Sequence, residues 1–418
     1  VPTDTGAASL FALPFLLLIP AAIAGLTLLN AGLTRSRNTA QLLVASLCAA
    51  SVAMLVYVAI GFSFAGFGSA GYAVHAGGRE WNLLGNGRLF ARSLNFDGSI
   101  GPMVLLLQMF SVGLAAIIPV ASGAERWRIA AVCASTALLA GIIYPVFQHW
   151  AAPDGWLGQL GFLDAGGAGS VQALGGISAL CIAWLVGARQ GKFTSEGIPT
   201  AMPGHSATLV LFGCLLSLVG WFGLNLGGAA LFDPHSGGVL VLAAINTVLA
   251  AAAGAIAALV GTRVRFGKPD ASLTANGWVA GLVAISASAP YVKPAAAMLI
   301  GSVVGGAIVF AIEVVELRMH VDDPAGAISV HAFGGIWGLL ALSIFGDGVR
   351  GSFLPQALGV ATLIGFVLPV SYGLNLLINR FLPYRVTPSG ERQGMDLFEL
   401  GAGAYPEFVT HREDFPRR

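Results

Sequence analysis

Charged side chains are scarce in this sequence: of 418 residues only 21 are basic and 20 acidic, while 56% are hydrophobic. A soluble domain of that length needs many more polar residues to clothe its surface, so most of the chain must face lipid. Net charge is equally small. A formal value of +1 with no basic run excludes a nucleic-acid partner. Cysteine is sparse too. Cys48, Cys133, Cys181 and Cys214 lie inside apolar runs without CxxC spacing, which fits small buried hydrophobes and says nothing of redox compartment. No nucleophile–base pair, metal cluster or phosphate loop is present, so neither enzyme chemistry nor a cofactor is expected. His75, His205, His235, His320 and His411 are scattered over span ends and loops and suggest no zinc site.

What the chain has in abundance is long apolar runs. A bilayer core takes about 20 such residues per helix. Runs of this kind lie at 9–33, 41–64, 103–121, 129–150, 171–188, 206–231, 239–260, 272–289, 295–315, 329–345 and 353–378. Continuous rather than alternating hydrophobicity points to helices, which satisfy every backbone polar group within one segment. The expectation is an all-α integral membrane protein of eleven transmembrane helices. The first run is too long for a signal-peptide core and has no basic residue before it, so it is read as a retained span.

Sixteen basic residues, from Arg35 and Arg37 through to Arg412, Arg417 and Arg418, fall in the loops and tail of one side. Five, Arg79, Arg88, Arg92, Lys293 and Arg350, fall on the other. The asymmetry predicts the N-terminus outside and the C-terminus in the cytoplasm of a cell (inner) membrane. An odd number of spans requires the same separation of the ends. Residues 1–380 form one membrane domain in this reading and 381–418 a cytosolic tail, while 66–101 is the longest outer connection. The 57 glycines, including the pairs Gly175-Gly176, Gly227-Gly228 and Gly334-Gly335, predict close helix contacts where no hydrophobic force acts between spans.

A self-match carries the most information about function. Segments 164–180 and 323–339 are identical at ten of seventeen positions, and they place Gln172 and His331 at equivalent positions after Asp164 and Asp323. The first copy opens a span from outside and the second opens one from inside, so the copies are antiparallel, the sign of inverted-topology repeats. Eight residues of helix measure about 12 Å, so Gln172 and His331, entering from opposite faces, can meet near the middle of a ~30 Å core. Polar residues at that depth are functional candidates. Asp164 and Asp323 also suit a structural role as helix N-caps.

At these residues the chain resembles the ammonium transporter (Amt/Rh/Mep) family. The likeness runs through Gln108 and the Gly-Ala-Glu125-Arg126 signature, the Leu163-Asp164-Ala-Gly-Gly run, Gly220-Trp221-Phe222-Gly223-Leu224-Asn225, Gly267-Lys268-Pro269, Asp322-Asp323-Pro324, Val330-His331 and Gly334-Gly335-Ile336-Trp337-Gly338. Segment 394–405 is similar to the family's cytosolic regulatory segment. The resemblance implies eleven spans in two inverted five-helix repeats, a homotrimer, and a narrow apolar pore for ammonium or ammonia in each subunit. It implies that Asp164 attracts the cation, that Gln172 and His331 line the midplane, and that Leu107, Ser111 and Leu224 shape the entrance. Trp150 is expected to supply a ring there.

The sequence departs from the pattern within the conduction path. Gln172 replaces the first of the family's twin histidines. Leu107, Ser111 and Leu224 stand where phenylalanines of the entrance and gate are usual, and Ser286-Ala287 replaces a threonine-proline in span eight. An amide does not titrate, so a two-imidazole proton wire is missing. The implied function is ammonium transport. The alternative is a receptor that binds ammonium and signals through its tail to a cytosolic regulator or a fused signalling domain.

Overall fold

The computed structural model describes residues 10–67, 71–232, 237–346 and 352–408. Ser9, His235, Arg350, His411, Arg412, Arg417 and Arg418 lie outside the described residues. Among the described residues, ten helices are long and apolar enough to cross a membrane. In chain order they are α1 Leu13–Leu33, α2 Ser36–Ala65, α3 Ile100–Ser122, α4 Ile129–Gln159, α5 Ala168–Val186, α6 Ala207–Phe232, α7 Gly238–Phe266, α9 Pro294–Arg318, α10 Ile328–Phe345 and α11 Phe353–Phe381. The eighth apolar run forms a shorter apolar helix, α8 Ala271–Ile285, so each of the eleven apolar runs is helical.

The limits of α8 have local causes. Asp270 caps its start, Oδ1 accepting from the Leu273 amide at 2.8 Å, which satisfies one free N–H of the first turn. Its helical bonds stop at Ile285, before Pro290. The carbonyls freed there are satisfied from other elements. Ser286 O accepts from Gly166 N at 2.7 Å, and the Asn246 amide donates to Ala289 O at 2.9 Å and Val292 O at 2.7 Å. A broken span with its backbone bonded to a neighbouring loop is tolerated in a bilayer because it faces protein rather than lipid.

The repeat copies form the openings of α5 and α10. Both begin with a π-helical turn, Ala168–Ala173 in one and Ile328–Phe333 in the other, a wide-turn geometry frequent at functional sites. The two helices cross closely because their contacts are glycines. A Cβ on Gly176 would lie 2.2 Å from Ala332 N, and one on the equivalent Gly335 would lie 2.3 Å from Ala168 O.

Two elements sit outside the bundle. On the face where the chain begins, β1 Gly71–Ala76 and β2 Arg79–Gly85 form an antiparallel hairpin, turned by Gly77 and Gly78 at φ +63° and +74°. Both angles suit glycine and the twist of a two-residue hairpin loop. On the opposite face the tail folds back on the bundle. Val386 N donates to Arg126 O at 2.9 Å, Gln190 N to Glu391 Oε1 at 2.6 Å, and Gln41 N to Asp396 Oδ1 at 2.7 Å. Asp396 therefore caps the start of the helical part of α2.

Candidate functional site

Gln172 and His331 meet. His331 Nδ1–H donates to Gln172 Oε1 at 2.8 Å, and the two residues are 5% and 0% exposed respectively. An amide oxygen only accepts, so the bond places the proton of the neutral imidazole on Nδ1 and leaves the Nε2 lone pair free. Gln172 Nε2 is buried with no partner of its own. The pair thus holds one unsatisfied donor and one free acceptor, the complement a molecule needs if it both accepts and donates hydrogen bonds.

Toward the chain-start face lies a cavity of about 50 Å³ lined in part by Leu107, Ser111, Tyr144, Gln148, Asp164 and Leu224. That volume accommodates more than one water-sized species. Asp164 is held by its own helix: Oδ2 accepts from Gly169 N at 3.1 Å, Ser170 N at 2.8 Å and Ser170 Oγ at 2.9 Å. Burial raises its carboxyl above the usual range, against the pull of those bonds. Its second oxygen, Oδ1, has no partner, and neither does Gln148 Oε1. Tyr144 donates to Gln108 Oε1 at 2.6 Å, and Ser111 lines the same cavity.

Asp164, Ser111, Leu107 and Leu224 are therefore brought together. Trp150 is not among the residues lining the cavity. Its indole donates to Leu83 O of the hairpin at 2.8 Å, and its ring packs 4.5 Å from that of Phe366. Tyr144 and Gln148 take the polar places at the cavity instead. Sequence reasoning missed both, although each is a polar group within the apolar run of α4, a signal in its own right.

On the opposite face, a smaller cavity of about 20 Å³ is lined in part by Lys192, Glu316, Asp322, Asp323 and Ser329. Asp323 mirrors Asp164. One oxygen accepts from Ile328 N at 2.7 Å and the other has no partner. Burial pushes its carboxyl up to about 6 against those backbone bonds. Beside it, Arg189 reaches Asp322 at 2.9 Å and Glu125 at 2.9 Å, while Arg126 Nη2 donates to the Asp322 carbonyl at 2.9 Å. Arg35 pairs with the same Glu125. Burial alone would raise Asp322, but Arg126 and Arg189 overcome it and hold the carboxyl at about 2. Lys192 pairs with Glu316 at the rim.

The model of the Ammonium Transporter Family matches residues 10–405. The ammonium transporter Amt2 of Archaeoglobus fulgidus is 34% identical over 94% of this chain and 87% of its own. The ammonium transporter of Bacillus subtilis is 31% identical over 92% of this chain and 94% of its own. Among solved structures, a Sensor Amt Protein superposes with a TM-score of 0.85 at 29% identity, covering 94% of this chain and 98% of that one. Mep2 of Candida albicans does so with a TM-score of 0.81 at 25% identity, covering 98% and 94%. Eleven apolar helices, an inverted repeat meeting at a buried Gln–His pair, and a match along nearly the whole length lead to one conclusion: the chain belongs to the ammonium transporter family.

Proposed function

We propose that the protein carries ammonium across a cell membrane through a separate path in each subunit of a homotrimer. The observation that supports this best is the buried Gln172–His331 pair, which offers a free donor and a free acceptor between carboxylate-bearing cavities on opposite faces. In this reading the chain-start face is outside and the tail is cytoplasmic, as the distribution of basic residues suggests. Asp164 draws the cation into the outer cavity by its charge. Ser111, Tyr144 and Gln148 replace part of its hydration with oxygen acceptors, a need set by the several kcal/mol cost of moving an ion out of water. Leu107 and Leu224 supply the apolar wall.

At the midplane, His331 accepts a hydrogen bond at Nε2 and Gln172 donates one from Nε2. Neutral ammonia fits such a pair because it has one lone pair and three N–H groups. Ammonium lacks the lone pair. The proton released beforehand has a single imidazole near it rather than two. The expected result is transport in which charge movement is weakly coupled to the passage of nitrogen.

A receptor that binds ammonium and signals through its tail is the second reading. It draws on the similarity to the Sensor Amt Protein and on the tail's bonds to α2, α4 and the α5–α6 loop. The full-length likeness to proteins named as transporters favours transport. Labelled-ammonium uptake into sealed vesicles, beside a binding measurement on the same preparation, separates the two. Uptake that saturates and is lost in His331→Ala supports transport. Binding without flux supports the receptor.

A further inference from the structure

The outer cavity collects oxygen atoms without giving them partners. Asp164 Oδ1 and Gln148 Oε1 are both out of solvent and unbonded, and both residues line the same space as Ser111 and Tyr144. The Tyr144 phenol spends its proton on Gln108, so its oxygen turns lone-pair density rather than a donor toward further neighbours. Apolar wall positions are Leu107, Val171, Leu224 and the ring of Phe232.

A buried carboxylate oxygen with no partner is costly, and so is a buried amide oxygen. Both costs are relieved by one occupant only if it is a cation or a multiple donor. Ammonium meets the need by donating along tetrahedral directions. A bare metal cation meets it without directional demands, and oxygen atoms from carboxylate, amide and hydroxyl groups are the ligands that hard cations prefer. Potassium and rubidium are close to ammonium in size and shed water more readily than sodium. An aromatic box gains much of its hold on a cation from ring faces, whereas an oxygen-rich site holds an alkali ion through direct ligation.

We infer that the cavity bounded by Ser111, Tyr144, Gln148 and Asp164 is a site for a partly dehydrated large alkali cation, potassium or rubidium, which competes there with ammonium. This rests on the reading that the cavity is where ammonium enters. External potassium then acts as a competitive inhibitor of uptake, and Gln148, which lines the cavity and whose amide oxygen has no partner, sets the balance between the two ions.

The test uses the full chain in detergent and in vesicles, with labelled rubidium as the probe in an otherwise alkali-free buffer of fixed ionic strength. About one rubidium per chain should bind, displaced competitively by ammonium and poorly by sodium. Gln148→Leu should weaken rubidium by about tenfold, the scale of one lost bond to a charged group. Gln148→Glu, which keeps the shape and adds charge, should tighten it, so a folding defect in the first variant cannot imitate the result. In vesicles, external potassium should raise the apparent KM for ammonium several-fold without changing the maximal rate. Absence of rubidium binding, or binding that ammonium does not displace, overturns the inference. Flux that is indifferent to potassium overturns it too but leaves ammonium transport standing. Ammonium-displaceable rubidium binding in a protein that shows no flux in potassium-free medium supports the site and defeats transport.

Discussion

The two copies of the repeat share a backbone design and differ in how each is secured. Each presents an aspartate that caps a π-helical turn with one oxygen and leaves the other unpartnered, and each aspartate lines a small cavity. Around Asp164, the broken end of α8 is joined by neutral bonds: Gly166 N to Ser286 O, and the Trp221 indole to Ser286 Oγ at 3.1 Å. Around Asp323, the turn after α3 supplies Glu125 and Arg126, which lock with Arg189 and Asp322 into a buried ionic group. The tail lies over that group, with Arg385 bonded to Val186 O and Glu391. One end of the path is therefore held by backbone geometry and keeps an oxygen-lined space. The other is held by charge and keeps a smaller one.

This contrast breaks most visibly at Arg189. Replacing it with alanine leaves Glu125 and Asp322 buried with part of their compensation gone, a loss on the order of 3–5 kcal/mol. Arg189→Ala should lower the thermal unfolding midpoint in detergent sharply, whereas Ser286→Ala on the opposite side removes two neutral bonds, from the Trp221 indole and to Leu282 O, each worth about 1 kcal/mol. Similar melting shifts for both variants would show that the two ends are not held differently after all.

The next effect belongs to the midplane. If His331 is the one titratable group there, His331→Ala should reduce ammonium flux by roughly 100-fold, the lower end of what a positioned proton acceptor contributes. His149, also buried, is spent on structure: its ring atoms bond Ala65 O at 3.0 Å and Asn82 Oδ1 of the hairpin at 2.9 Å. His149→Gln should act mainly on stability. Uptake rates normalised to folded protein decide the matter, and a greater loss in the His149 variant would move the site to the hairpin side.

Acid should separate the neighbouring carboxylates of the charged end. Asp322 is held at about 2 against an ordinary 3.8, so its contribution is fully present above pH 4 and is lost as pH falls through about 2. The difference corresponds to about 2 kcal/mol. Asp323 has the opposite sign: raised to about 6, it opposes folding when ionised and ceases to do so as pH falls from 7 toward 4. Melting midpoints should rise and then fall on acidification. Asp323→Asn should abolish the rise and spare the fall. A monotonic profile unaffected by that change would refute the assignment.

Much of this was legible from the residues alone. Hydropathy locates the spans, and the self-match brings Gln172 to His331 because inverted copies must meet near the middle of the bundle. Hydropathy carries span eight to residue 289 because apolar residues continue past Ile285, where the chain turns under backbone bonds that hydropathy does not register. The hairpin that holds Trp150 reads in the sequence as plain polar connection. The Gly77-Gly78 pair between two short alternating stretches was its sign. Tyr144 and Gln148 belong to no repeat or motif, and the partners of Glu125 come from segments 64 and 90 residues away. Only the fold brings such groups together.

The smallest effect sharpens the comparison at its centre, where the copies differ by one side chain. In Gln172→His, the new imidazole can accept the His331 Nδ1 proton as the amide oxygen does now, so the existing bond survives. Its second nitrogen takes the place of the unpartnered Gln172 Nε2. What changes is that the chain of hydrogen bonds across the repeat axis now titrates at both members. Ammonium-driven current in oriented vesicles should then rise a few-fold relative to nitrogen uptake, equivalent to about 1 kcal/mol in the barrier to proton passage. Gln172→Ala should lower both, since it leaves His331 without its acceptor in a pocket that water cannot fill freely. The ratio of charge to nitrogen is the quantity to follow, because a change in pore width alters both together. An unchanged ratio in all three proteins would mean that protons cross elsewhere, and that the glutamine of the first copy serves only to hold the histidine of the second.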